Sequence, residues 1–176
     1  MTTLEELLGD PANATVWTLD PARSRITFSC RSFWGLLPVK GTFATFSGDG
    51  QLAHGAAFGR VDIDAASLTT GIGKRDDHLR SEDFFAVERF PTISVVVTAV
   101  LSNGGGGAEL RSNLTIRGVT HPLPLPATVT VLAEDAVQIS TRVTVDRTRW
   151  DVSGNLMGMV MRPTTLAATG VFVKNR

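Results

Sequence analysis

The segment Ala57–Leu68, "AFGRVDIDAASL", alternates without a break: Val61, Ile63 and Ala65 oppose Arg60, Asp62 and Asp64. Period two places successive side chains on opposite faces of an extended chain, so this segment is a strand with one face in a core and the other in water. Upstream, "SRITFSCRSFWG" (24–35) repeats the pattern, with Ile26, Phe28 and Cys30 against Thr27, Ser29 and Arg31, and "VKGTFATFSG" (39–48) follows it. Downstream, "TISVVVTAVLS" (92–102) and "AELRSNLTIRG" (108–118) flank "NGGGG" (103–107) as a hairpin around a loose glycine tip. A second hairpin, "LTIRGVTHPLPLPATVTVL" (114–132), turns at Arg117 and Gly118, because glycine relieves the positive φ of such turns. Pro122, Pro124 and Pro126 lack a ladder donor and place that stretch at an edge, a bulge or a strand entry. "AVQISTRVTVD" (136–146) and "TLAATGVFVK" (165–174) supply the last strands. About eight strands, almost all joinable as hairpins, define an all-β chain folded as an antiparallel up-and-down barrel or a sandwich.

The 176 residues, 43% of them hydrophobic, suffice for one sizeable core and one domain. Seventeen basic and seventeen acidic residues cancel, and no basic block stands out, so no electrostatic binding of nucleic acid or of an anionic membrane is expected. Cys30 is the single cysteine, read as a buried thiol that can form no intramolecular disulfide. The start, "MTTLEELLGDPAN", carries Glu5, Glu6 and Asp10 where a secretory leader would be basic, which predicts a cytoplasmic protein. Thr3 and Glu6 have capping-box spacing and Leu4, Leu7 and Leu8 share a face, so residues 1–14 are an extension with a short helix and residues 15–176 the barrel domain. No apolar run is long enough to cross a bilayer, so an integral membrane protein is not expected.

One stretch breaks the alternation: "GKRDDHLRSEDFFAVERFP" (73–91). It is read as two helical turns, the first capped by Asp76 or Asp77 and the second by Ser81, with Pro91 ending the excursion. Leu79, Phe84 and Phe85 form its apolar face, which must bury itself, and a barrel end is the place for it. The segment is then a lid. Arg75, Asp76 and His78 resemble a catalytic trio, but acid–base chemistry also needs a positioned nucleophile, metal or cofactor, and the sequence locates none. We read Arg75 and Asp76 as a salt-bridged fastening of the lid, with contact of Arg75 or His78 to a ligand head group as the alternative. His54, His78 and His121 share no metal-ligand spacing, and no cofactor is expected.

Alternation points Phe28, Phe43, Val61, Ile63, Val95, Val97, Leu114, Ile116 and Phe172 inward, without separating a filled core from an open tube. Gly41, Ala44, Ala167, Ala168 and Gly170 stand where a filled core would want bulk, which supports interior room.

Five stretches taken together, "WTLDPARSRITF" (17–28), "VKGTF" (39–43), "VDIDAASLTTGIGKRDDHLRSEDFFAVERFP" (61–91), "LTIRGVTHPLPL" (114–125) and "VDRTRWDV" (145–152), resemble the YceI-like family of polyisoprenoid-binding proteins, over Trp17 to about Val173. The resemblance implies an eight-stranded antiparallel lipocalin-like barrel with a short helical lid between strands, an apolar interior that takes up an isoprenoid chain, and often a homodimer. It turns the nine inward residues, with Leu79, Phe84 and Phe85, into candidate ligand contacts. The expected function is non-catalytic carriage or sequestration of a polyisoprenoid, whether a quinone, a polyprenyl phosphate or another long lipid. The alternative is a ligand-free barrel acting through a dimer or partner surface. Many family members are exported, and the acidic start of this chain departs from that.

Overall fold

The computed structural model describes residues 2–155 and 160–176. Twelve ladder segments appear in chain order: β1 (Val16–Leu19), β2 (Arg25–Ser32), β3 (Leu37–Phe43), β4 (Phe46–Ala53), β5 (Ala56–Asp64), β6 (Leu68–Thr69), β7 (Thr92–Gly104), β8 (Gly107–Ile116), β9 (Val119–Pro122), β10 (Leu125–Ala133), β11 (Ala136–Asp146) and β12 (Val160–Lys174). They combine into eight antiparallel strands that close on themselves. Both β1 and β2 pair with the same edge of β12, at Leu19↔Phe172 and Phe28↔Leu166, so they are halves of one long strand interrupted at residues 20–24. Their partners β3 and β4 are likewise halves of one strand, paired at Phe28↔Gly41 and Trp17↔Gly50. The contact of β1 with both β4 and β12 closes the ring β1-β4-β5-β7-β8-β10-β11-β12. Closure removes edges from the barrel proper. Beyond it, β2 and β3 run on as a hairpin whose outer edge pairs, among the described residues, with the two-residue β6 alone, at Thr42↔Thr69 and Phe43↔Leu68.

The period-two reading holds along these strands between local shifts of register on β7, β10 and β12. Val95 and Val97 on β7 point with Leu114 toward the core, but the ladder slips between Val97 and Ala99, and Val100 takes up the inward position. The proline-rich stretch breaks the wall as its missing donors require: β9 and β10 both pair with β8, separated at Leu123, whose N–H donates to the Ser112 carbonyl at 2.8 Å. Arg117 and Gly118, at φ 52° and 72°, make the turn between β8 and β9. Gly41 is required for another reason: the Phe28 ring lies across it, and a Cβ there would come within 2.2 Å of the ring. The room inferred at Gly41 is thus already filled by Phe28, whereas Ala168 and Gly170 do face the interior and border its cavity.

Each barrel end is covered by a helix. At the end holding the β7–β8 turn sits α1 (Leu4–Gly9), started by the reciprocal bonds Thr3 N–H to Glu6 Oε2 (2.8 Å) and Glu6 N–H to Thr3 Oγ1 (3.1 Å). Its buried Leu4 and Leu7 pack with Trp17, Ala108, Val129 and Val137. At the opposite end, the connection from β5 to β7 leaves the wall and returns, its mouth tied by the Ala65 N–H to the Pro91 carbonyl at 2.9 Å. It contains α2 (Gly73–Arg80) followed by turns. Two expectations are corrected here. The helix starts at Gly73 after Ile72, with no side-chain cap, so neither Asp76 nor Asp77 is its N-cap. Ser81 is its C-cap, bonding back to the His78 carbonyl through N–H and hydroxyl, and "SEDFF" forms turns that end in the left-handed Ala86 (φ 48°).

Candidate functional site

The barrel encloses a cavity of about 310 Å³ that reaches from Leu4, Leu7 and Trp17 under α1 to Leu79, Phe84, Phe85 and Trp150 at the other end. All twelve apolar candidates border it: Phe28, Phe43, Val61, Ile63, Val95, Val97, Leu114, Ile116 and Phe172 from the wall, and Leu79, Phe84 and Phe85 from the lid. Small residues on β12 leave the space, since Ala168 stands opposite Thr141 on β11 and Ile26 on β2. The volume is about twice the 150 Å³ that admits benzene in an engineered cavity, and it lies at the low end of the range for small-ligand sites.

At the lidded end the aromatic rings interlock. Phe85 from the lid meets Phe28 and Phe43 from β2 and β3, with centroid separations of 6.2 and 6.0 Å, and the two wall rings lie 5.3 Å apart. Trp150, fully buried in the 3₁₀ turn Arg147–Trp150, donates its indole N–H to the Leu114 carbonyl at 2.8 Å. The lid is fastened by arginines that reach backbone oxygens. Arg80 donates to the Ala66 and Leu68 carbonyls at 2.9 and 2.7 Å, and Arg117, from the β8–β9 turn, donates to the carbonyls of Glu82 and Phe84.

Arg75 and Asp76 meet through Thr70 rather than through a direct ion pair. The Thr70 hydroxyl accepts from Arg75 Nε at 2.7 Å and donates to Asp76, which also accepts the Thr70 N–H at 2.8 Å and the Thr69 hydroxyl at 3.2 Å. Arg75 Nη2 adds a bond to the Thr70 carbonyl at 3.0 Å. His78 lies apart from this group, with Nε2 2.8 Å from Asp83 and its ring edge-on to Phe84. None of Arg75, Asp76 and His78 is among the cavity-lining residues.

Burial pushes the Asp76 carboxyl up, but the hydrogen bonds from Thr70 and Thr69 and the Arg80 charge outweigh it and hold it below its ordinary value. A carboxyl with a depressed native pKa contributes stability that is fully present above its unfolded pKa, about 3.9, and is lost as pH falls through the native value. Asp76→Asn is therefore expected to lower the melting temperature at neutral pH and to flatten its decline on the acid side. Melts of both proteins between about pH 3 and 7 check this. Parallel curves would show that Asp76 does not fasten the lid.

Arg147 is the residue that sequence reasoning missed. It is 8% exposed, borders the cavity at the lidded end, and sits 5.6 Å from the Phe84 ring centroid. Its guanidinium donates to the carbonyls of Met161 and Val160, each at 3.1 Å, and of Val152. Among the described residues, none of the ion pairs within 4.0 Å involves it. Burial lowers its pKa, opposed by Cys30 and Asp146. Burial likewise pushes the Cys30 thiol up, opposed by Arg147 and Arg75. The only sequence signal for Arg147 was its place in "VDRTRWDV", because its partners lie up to 14 residues downstream across a turn.

The molecule is of the class of closed up-and-down barrels of eight strands, with an apolar axial cavity of a size for one small ligand. Within that class the chain belongs to the YceI-like family, whose domain model matches residues 17–172. A UPF0312 protein of Vibrio vulnificus is 36% identical over 121 residues, 66% of this chain and 64% of that protein. One of Pseudomonas syringae is 37% identical over 94 residues, 51% of this chain and 48% of that protein. The chain thus spans about half to two thirds of the length of these relatives. Among solved structures, Burkholderia cenocepacia BcnA superposes with a TM-score of 0.78 at 21% identity, covering 87% of this chain and 98% of that one. A polyisoprenoid binding domain from Saccharophagus degradans superposes with a TM-score of 0.76 at 16% identity, covering 90% and 98%. At these identities the structural likeness speaks for the fold. Among the described residues no helix is long and apolar enough to cross a membrane.

Proposed function

We propose that the protein is a non-catalytic carrier that encloses an isoprenoid or a similarly long apolar chain inside the barrel. The carrying observation is the cavity itself, which is walled by Val, Ile, Leu and Phe side chains along its length. Burial is worth about 0.8 kcal/mol per methylene, so each five-carbon prenyl unit gains roughly 3–4 kcal/mol before ordering costs, and the tail supplies the affinity. In this reading the twelve apolar residues hold the tail and Phe85 closes over it. Arg147, a buried cation on the wall, receives a phosphate or quinone oxygen at the lidded end, and Arg75, Asp76 and His78 serve the lid. The name of the Saccharophagus degradans domain supports the ligand class.

Native mass spectrometry of freshly purified protein tests the proposal. The expected spectrum carries an adduct that organic extraction removes and identifies as a prenyl lipid. A homogeneous apo mass that stays unchanged after incubation with a solubilised polyprenyl phosphate and with a prenyl quinone would overturn it.

A further inference from the structure

We propose that the tip of the β2–β3 hairpin docks the protein onto an anionic lipid surface. The tip is "FWGLL", Phe33 to Leu37, and its apolar side chains face solvent: Phe33 is 46%, Trp34 66%, Leu36 77% and Leu37 51% exposed. Met161, next to Val160 of the Val160↔Ser32 pair on β12, is exposed as well. A fold gains nothing by holding two aromatics and two leucines in water, and here the chain also accepts backbone cost to do so. Phe33, Trp34 and Gly35 are successive left-handed residues, at φ 51°, 55° and 90°. The turn is nevertheless held in shape, by Gly35 N–H to the Ser32 carbonyl, Leu36 N–H to the Phe33 carbonyl, and Arg31 Nη1 to the Gly35 carbonyl, each at 3.2 Å.

Charge selects the occupant. The chain is neutral overall, yet no carboxylate occurs between Pro21 and Gly48, where Arg23, Arg25, Arg31 and Lys40 lie, and none on β12, which carries Arg162 and Lys174. The pairing Ser29↔Lys40 and Arg31↔Pro38 puts Arg31 and Lys40 on one face of the hairpin, just behind the apolar tip. Exposed Trp and Leu in front, with cations two to three residues behind, is the arrangement that inserts into a headgroup layer while pairing with its anions. The zero net charge thus concealed a local basic surface. The tip also adjoins the lidded end of the cavity, because Cys30 and Val160, which flank the hairpin base, border it. Docking rests on the hairpin alone and does not require the cargo proposed above.

The test uses the intact protein with vesicles of phosphatidylcholine, alone or mixed with phosphatidylglycerol. Trp17 and Trp150 are buried at 3% and 0% exposure, so collisional quenching by lipids brominated near the headgroup reports on Trp34. Expected are quenching and co-sedimentation with the mixed vesicles, loss of co-sedimentation in Trp34→Ser/Leu36→Ser, and at least about tenfold weaker binding in Arg31→Glu/Lys40→Glu. The substituted side chains are exposed, so melting curves should match the parent. No binding to either vesicle, or binding unchanged in the tip variant, would overturn the proposal. Sedimentation equilibrium covers the other occupant: self-association that Trp34→Ser/Leu36→Ser abolishes, without vesicle binding, would make the tip an interface between copies. Lipid retention in the native mass spectrum stands or falls separately from these readouts.

Discussion

Trp150→Ala is expected to destabilise the protein by about 3–5 kcal/mol, the range for removing a buried aromatic side chain from a packed site. The indole is fully buried, its N–H satisfies the Leu114 carbonyl, His121 stands edge-on at 5.4 Å, and the Arg149 guanidinium lies 5.1 Å from its centroid. Alanine removes all three contacts and leaves the carbonyl unpartnered beside a new void. Trp150→Phe separates the two losses, because it keeps a ring and deletes the hydrogen bond, and should cost about 1–3 kcal/mol. Urea unfolding is the measurement, with the midpoint falling and the slope unchanged; melting should drop by about 2–4 °C per kcal/mol in a chain of this size. A cost for alanine below about 1 kcal/mol would mean that the 3₁₀ turn does not seal the lidded end.

Ala168→Trp is expected to abolish ligand uptake while leaving the fold intact. Ala168 points inward from the middle of β12, and an indole there projects into a cavity of about 310 Å³. Because the space already exists, the ring fills a void instead of displacing a neighbour, so the melting temperature should hold or rise. The lipid adduct in the native mass spectrum should fall by about tenfold or more, since a blocked tube cannot desolvate the tail. Ala167→Trp is the control: one residue along and opposite Thr27 and Arg142, it is turned by the alternation to the outer face, so Ala167 does not leave the interior room expected of it. Equal uptake by both variants would remove the interior as the ligand site.

How much of this was legible depended on where each residue's partners lie. Period two revealed the strands because alternation is local: Val61 and Ile63 are inward on any sheet that buries that face. Pro91 and the Arg117–Gly118 turn were legible for the same reason. Helix α2 was misplaced because it begins after Ile72 without a side-chain cap, so of the two acidic residues that look like caps Asp76 binds Thr69 and Thr70 and Asp77 pairs with Arg80. Alternation alone left barrel and sandwich open and the family resemblance rightly pointed to the barrel, since closure depends on β1 and β2 sharing the β12 edge across the excursion at residues 20–24. Arg117 and Arg147 carry long-range bonds to backbone carbonyls, and a carbonyl has no letter in a sequence.

The hairpin that outruns the barrel leaves one stretch of strand with a free side. From Leu37 to Gly41 the outer edge of β3 has no strand neighbour among the described residues, because β6 reaches only Thr42 and Phe43. Such an edge is a template for an extra strand from another molecule, and the residues on it look chosen to refuse one. Pro38 offers no N–H to an incoming chain, Lys40 charges the approach, and Gly41 has low strand preference. An expression variant made more regular there, with Pro38 and Lys40 replaced by valine, would turn a protected margin into a nucleus for sheet-to-sheet polymerisation.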